Sequence, residues 1–503
     1  MTGRPHLEQA LLGDGSGAVP AGLAVPGYDR SAVTAGVAHI GVGNFHRVHQ
    51  GVYLDRVLHQ ASQQDWGILG VGVVDSPASA AKAAAFAAQD NLHTVTEFAP
   101  DGSHASRVIG SMVGYESVPA DPGAAQARLL DPAIRIVTMT IGESSYNLVE
   151  GSGEFDLSTP AVADDLQHPQ RPPRTVFRLL VDALAGRRRD GTAPFTVMSC
   201  DNLRGNGDTI RRSLLGYAAA VDPELAQWIE GEVHFPNCMV DRIAPLVDDA
   251  RRAELNALAG VDDAAATIGE DHLQWVIEDD FPSGRPRWEE VGVTMSDQVA
   301  QYEAVKGRML NACHVLMSYP AVLLGHRFVH EAMADPLVYR MLRTFVDQDV
   351  IPLITPPTGV RLPDYRDQIL SRFANPAVRD QLLRIAMDGA AKIPVFHTVT
   401  LRTQVEQGLD PSREALLLLC FRRYLSGVDD RGAAFDVHEP LLSPQDRAAC
   451  AGDDPRAALR LASFSPLGLE DHPGFVSRFD ELAAVMTQRG VATAIEAAIE
   501  PRG

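Results

Sequence analysis

Val37-Ala-His-Ile-Gly41-Val-Gly43-Asn44, running into Phe45-His46-Arg47-Val48-His49-Gln50, is the stretch whose reading decides the fold. It opens as a short apolar strand and closes on two glycines. From Phe45 to Leu58 the apolar residues then recur at helical spacing. A strand, a glycine turn and a helix in this order can seat a dinucleotide. Gly41 permits the tight turn, Gly43 lets backbone approach a pyrophosphate, and the helix start presents unpaired N–H groups to the anion. His46 occupies the place of the usual third glycine, so the fingerprint is incomplete. From these residues alone a plain strand-end turn reads equally well.

Outward from the turn the alternation continues. A buried strand is predicted over Trp66 to Val74, a helix over Ala78 to Ala88 and a strand over Ile134 to Ile141. A helix over 174 to 187, a strand over Pro194 to Cys200 and a helix over Gly207 to Ala220 follow. Buried strands alternating with helices imply an α/β fold with a doubly wound parallel sheet covered on both faces. After Val291-Gly-Val-Thr-Met295 the pattern changes to amphipathic helices, broken near Pro352 to Pro363 and Gly427 to Ser443. The reading is therefore a sheet domain over 1–295 and a mainly helical domain over 296–503. Asp75 ends the second strand, and a carboxylate there favours NAD because it repels the extra phosphate of NADP.

Composition narrows the function classes. The 503 residues carry 44 Lys and Arg against 65 Asp and Glu, a formal charge of -21, which opposes a nucleic-acid backbone or an anionic lipid surface. Five cysteines lie far apart with no C-x-x-C pair, which fits a reducing cytosol better than a disulfide framework. No apolar run approaches a bilayer span or an export signal, so a cytoplasmic protein is expected. No coiled-coil seam is evident, and a monomer is expected.

Several polar clusters could carry chemistry. Along the predicted helix Asp297 to Met317, Glu303, Lys306 and His314 fall within a wedge of roughly 80°, with Asn311 about 60° beyond, at about 100° per residue. An isolated lysine is most often a solvated surface group. A Lys, an Asn and a His on one face could instead supply a base, an amide donor and a hydroxyl contact, which alcohol oxidation without a metal needs. Asn202, just past a predicted strand, is either a site residue or a helix-capping turn residue. Asp241 and Arg242 read by default as a surface pair. Arg384 and Lys392, eight apart around Asp388-Gly389, share a helix face or flank its end. His46 and His49 lack further ligands for zinc, and no G-x-S-x-G elbow supports a hydrolase.

Taken together, Gly41-Val-Gly-Asn-Phe45-His46-Arg47, Cys200-Asp-Asn202 with Gly205-Asn206-Gly207, Phe235-Pro-Asn-Cys-Met-Val-Asp241-Arg242, and Lys306 with Asn311 and His314 resemble the mannitol dehydrogenase family of polyol-specific dehydrogenases. The likeness spans most of the chain. It implies a zinc-independent, NAD(P)-dependent enzyme with a Rossmann-type domain, a helical domain and a polyol or ketose substrate between them. By the same resemblance Lys306 matches the catalytic base, Asn202 and Asn311 the amides that hold the reacting oxygen, and Glu303 a carboxylate serving proton passage. Asp241, His314, Arg384 and Lys392 match residues around the polyol. Gly41, Gly43, Asn44, Phe45, Asp75 and Glu143 fall to the cofactor. One departure is Thr140-Ile-Gly142-Glu143, where relatives tend to read Thr-x-Thr-Glu.

On this reading Lys306, desolvated near the nicotinamide, has a lowered pKa and accepts the hydroxyl proton. Lys392-Ile-Pro-Val-Phe396 resembles the mannitol branch, whereas the uronate branch tends to place Arg at the last position. Mannitol and fructose are therefore expected, with arabinitol dehydrogenase or fructuronate and tagaturonate reductase as alternatives. A reading from another class is a non-catalytic sugar- or dinucleotide-binding protein.

Overall fold

In a computed structural model, residues 4–12, 19–149 and 151–500 are described. The chain divides into two compact units, residues 1–99 with 103–300, and 100–102 with 301–503.

The first unit is built on a five-stranded, all-parallel sheet. Its strands are β1 (Ala35–Ile40), β2 (Gly67–Gly72), β3 (Met112–Ser117), β4 (Ile136–Met139) and β5 (Thr196–Ser199), in the order β3-β2-β1-β4-β5. This is the strand order of a Rossmann-type sheet, and it places the β1 turn where the order reverses. Successive residues point to opposite faces. Val37, Ile68, Ile136 and Met198 join one apolar cluster, while Ala38, Leu69, Val137 and Val197 join another. Both faces are thus buried, which is why these strands read as mainly apolar runs.

Helices α1 (Asn44–Val48), α2 (Gln50–Leu58), α3 (Pro77–Ala88), α4 (Pro122–Leu130), α5 (Val176–Asp190) and α6 (Asn206–Val221) belong to this unit. The single helix expected over Phe45 to Leu58 is in fact two, because His49 leaves helical geometry (φ -111°, ψ -88°). Two smaller sheets lie outside the expectation. One carries Leu23–Ala24, His104–Ile109, His93–Phe98 and Thr267–Glu270; the other carries Thr294–Met295, Gln274–Ile277 and Cys238–Asp241.

The second unit is helical around one apolar cluster. Helix α7 (Val299–Val305), which begins two residues before this unit, passes into a π segment, Lys306–Asn311, and resumes as α8 (Ala312–Leu323). Further helices include α9 (Leu382–Ala386), α10 (Gly389–Gln407), α11 (Ser412–Tyr424) and α12 (Pro473–Ile499).

Candidate active site

The glycine turn after β1 is gripped carbonyl by carbonyl. Gly41 has φ +90°, and a Cβ there would lie 2.1 Å from the Thr140 carbonyl oxygen, so only glycine fits. Thr140 Oγ donates to the Gly41 carbonyl at 2.8 Å, Lys82 Nζ to Val42 at 3.0 Å and Arg47 Nε to Gly43 at 3.2 Å. A Cβ on Gly43 would meet only the Gly41 carbonyl, at 3.7 Å, so backbone can be approached there. Neither Lys82 nor Arg47 has a carboxylate within ion-pair distance among the described residues. Burial, and next the charge of Arg47, lower the Lys82 pKa; burial alone holds Arg47 down at about 10. Two cations at a turn with room for backbone approach suit a pyrophosphate, so these residues fit a dinucleotide.

The other cofactor candidates lie close in sequence to this frame. Asn44 Oδ1 accepts from Arg47 Nη2 at 2.6 Å, and Phe45 stacks on His49 with ring centroids 4.8 Å apart. Asp75 is exposed just past β2, where Ser76 caps α3. Glu143 is exposed in a short 3-10 turn. Gly142 before it has φ +91°, so a residue with a side chain would be strained here. The Gly142 and Ile141 N–H groups instead donate to the carboxylate of Asp201 at 3.1 and 2.9 Å. Tyr146 donates to the same carboxylate at 2.6 Å, and burial raises its phenol pKa strongly.

Asp201 thereby ties the Glu143 turn to the loop carrying Asn202, which is exposed just past β5. The start of α6 is capped by Asn237, whose Oδ1 accepts from Gly207 N (2.9 Å) and Asp208 N (3.2 Å). Asn206 completes the lock, donating to the Cys238 carbonyl at 2.8 Å and accepting from its N–H at 2.9 Å. Asp241 and Arg242 are not a surface pair. Both are buried; Arg242 pairs with Glu97 at 2.6 Å, and Asp241 lies 3.4 Å from His272.

In the second unit Lys306 opens the π segment and Asn311 ends it. Its i→i+5 turns mean that the 100° arithmetic does not carry from Glu303, on α7, to His314, on α8. Lys306 is buried; Glu303, Asn311 and His314 are half-buried. His314 stacks on Phe373 at 4.0 Å, and Phe396 packs against the π segment, 3.9 Å from where a Gly307 Cβ would stand. Arg384 and Lys392 occupy different helices, α9 and α10, separated by Asp388 in the left-handed region. Arg384 pairs with Asp380 at 2.6 Å, and Lys392 Nζ donates to the Ile385 carbonyl at 3.2 Å.

Sequence reasoning missed Lys82, Asp201 and Asn237. Lys82 did leave a signal, as the lone charged residue in the alanine-rich Pro77–Ala88. Among the described residues no group of three or more His, Cys, Asp or Glu side chains is placed to hold a metal ion, and no helix is long and apolar enough to cross a membrane.

Residues 35–290 match the family model for a mannitol dehydrogenase Rossmann domain, and 298–486 that for a mannitol dehydrogenase C-terminal domain. A polyol:NADP oxidoreductase of Gluconobacter oxydans is 44% identical over 95% of this chain and 98% of its own. A substrate-free D-sorbitol dehydrogenase structure superposes with a TM-score of 0.90 at 42% identity, covering 97% of this chain and 100% of its own. The Pseudomonas fluorescens mannitol 2-dehydrogenase ternary complex with NAD and D-mannitol gives 0.87 at 36% identity, covering 99% and 100%.

Proposed function

The chain belongs to the mannitol dehydrogenase family, and on that premise we propose that this polyol dehydrogenase interconverts D-mannitol and D-fructose with NAD, a lysine base and no metal. Residues 1–295 hold the cofactor and 296–503 supply the base and polyol contacts. NAD, when bound, supplies the carbon that accepts the hydride. Gly41, Gly43, Asn44 and Phe45 line its turn, Glu143 adds a contact, and exposed Asp75 meets the ribose, favouring NAD over NADP.

Lys306 accepts the hydroxyl proton, and Glu303 passes it outward. Asn202 and Asn311 donate to the carbinol oxygen as negative charge builds there. Asp241, His314, Arg384 and Lys392 contact the remaining hydroxyls. The observation that carries this reading is a lysine only 8% exposed at the start of a π segment, since lysines are rarely buried and π turns gather at functional sites. Phe396 against that segment supports a neutral polyol over a uronate, which would call for another cation. Five buried free thiols support a cytoplasmic setting, and a monomer is the simplest assembly.

The test is to incubate the purified protein with NAD or NADP and, separately, mannitol, arabinitol, sorbitol and mannonate, following reduced cofactor by absorbance. Fastest NADH formation with mannitol is expected. Faster turnover of arabinitol or mannonate selects the alternatives within the family. Dinucleotide binding without turnover of any of the four would replace this reading with a non-catalytic binding protein.

A further inference from the structure

Beneath the glycine turn runs a chain of buried hydrogen bonds with His39 at its centre. His39 is fully buried on β1; its Nδ1 lies 2.8 Å from Thr138 Oγ and its Nε2 lies 3.1 Å from Thr140 Oγ. Thr140 in turn reaches the Gly41 carbonyl at 2.8 Å, and Thr138 reaches the Gln50 side-chain amide at 3.0 Å. A proton count fixes the direction of the whole chain. A carbonyl only accepts, so the single Thr140 hydroxyl proton goes to Gly41, and Thr140 must accept from His39 Nε2–H. A neutral imidazole carries one N–H, so Nδ1 is the acceptor and the Thr138 proton points at it. Thr138 Oγ is then left to accept, and the donor is the Gln50 amide nitrogen. Its N–H2 otherwise has no partner, and a half-turn of the amide brings it to Thr138. The order is Gln50, Thr138, His39, Thr140, Gly41 carbonyl.

The consequence reaches the ligand side. C=O and N–H of one trans peptide point opposite ways, so holding the Gly41 carbonyl on Thr140 turns the Val42 N–H away from it. We infer that His39 is a positioning residue for cofactor binding: through Thr140 it holds the Gly41–Val42 peptide with its N–H toward the pyrophosphate. Burial keeps the imidazole neutral, its pKa lowered to about 3, so the direction of the chain does not change across the working pH range. Stacking on His46, with ring centroids 3.6 Å apart, fixes the plane of the ring.

The inference rests on the reading of this turn as a dinucleotide site, which titration of the unaltered protein with NADH, followed by fluorescence, tests separately. Three variants test the relay. His39→Asn keeps an amide near the Nδ1 position only, His39→Gln places an N–H near the Nε2 position, and Thr140→Val removes the hydroxyl at constant shape. His39→Asn and Thr140→Val are each expected to raise the NADH Kd about tenfold, the size of one lost buried hydrogen bond, with kcat at saturating cofactor and the polyol KM unchanged. His39→Gln should stay within about threefold of the parent. The double variant His39→Asn/Thr140→Val should bind no worse than Thr140→Val, because both act on one carbonyl. Multiplying effects in the double variant, an unchanged Kd in Thr140→Val, or equal damage from Gln and Asn would each overturn the inference. A parent protein that binds no dinucleotide would overturn the cofactor reading and the inference with it.

Discussion

The ammonium of Lys82 lies 3.0 Å from the carbonyl of Val42, the residue between the two glycines of the β1 turn. An exposed cation with no carboxylate partner among the described residues, next to a second one on Arg47, leaves positive potential to be met by an anion. Lys82→Met is therefore expected to raise the Kd of NAD and NADP alike, about tenfold at low salt and less at high salt, as screening replaces the lost charge. Titrations at two ionic strengths check this. A loss confined to NADP would assign Lys82 to the ribose phosphate and not to the turn.

Lys306→Ala should lower kcat by about 100- to 10,000-fold, the range for a positioned general base, and leave the NADH Kd within about twofold. Asn202→Ala and Asn311→Ala should each cost about 100- to 1000-fold, the range for one oxyanion donor. Steady-state rates with mannitol, set beside NADH titrations, separate chemistry from binding. Substantial turnover in Lys306→Ala would end the assignment of the base.

Much of this was legible because it depends on local pattern. β1, β2, β4 and β5 are buried on both faces, so Val37, Ile68, Ile136 and Val197 stand in mainly apolar runs with few polar interruptions. His93–Phe98 and His104–Ile109 escaped notice because their buried polar residues find partners distant in sequence. Thr94 bonds Asp263, and Thr96 meets Ser106 across the hairpin. Arg242 was misread for the same reason, since Glu97 lies 145 residues away. The π segment Lys306–Asn311 gives no signal in apolar spacing, yet it sets where Lys306 and Asn311 stand along the helix. The glycine at 142, a departure from the family pattern in sequence, has a conformational reason that only its φ of +91° shows.

Buried histidines set the acid limit of the first unit. Burial lowers the pKa of His39 and of His93 to about 3, and that of His46 well below its usual value. An unfolded chain takes up these protons near pH 6.5 and the folded one does not. Their stabilisation is therefore complete above about 6.5 and is lost as pH falls toward 3, at up to about 1.4 kcal/mol per pH unit for each. All four tryptophans, Trp66, Trp228, Trp275 and Trp288, lie in this unit, so their fluorescence reports it alone. Denaturant midpoints should fall progressively below pH 6.5; midpoints constant down to pH 4 would contradict this.

Asn237 links stability to the Asn202 loop. It caps α6 from just before the strand Cys238–Asp241, because Gly205 at the helix start has no side chain to do so. Asn237→Ala should cost about 1 kcal/mol, typical of a lost N-cap, and Asn237→Asp should recover much of it. If the cap also fixes the Asn202 loop, kcat falls in Asn237→Ala more than in Asn237→Asp. Equal rates in the two would confine Asn237 to stability.

A buried ion pair ties together elements of the second unit. Arg413 on α11 meets Asp349 through two bonds, 2.5 and 2.8 Å, both side chains nearly inaccessible, and its Nη1 donates to the Ala498 carbonyl near the end of α12 at 2.9 Å. Burial pushes the Asp349 carboxyl up to about 6, and the guanidinium opposes any further rise. Arg413→Met strands that carboxylate and frees the Ala498 carbonyl, at about 3–5 kcal/mol, while Asp349→Leu/Arg413→Met, which removes both charges, should regain most of the loss. Calorimetry of the two variants is the check, because tryptophan fluorescence does not see this unit. The pairing explains the cost only if the double variant melts above Arg413→Met; a lower melting point would show that Arg413 acts mainly through the Ala498 carbonyl, a bond the double variant cannot restore.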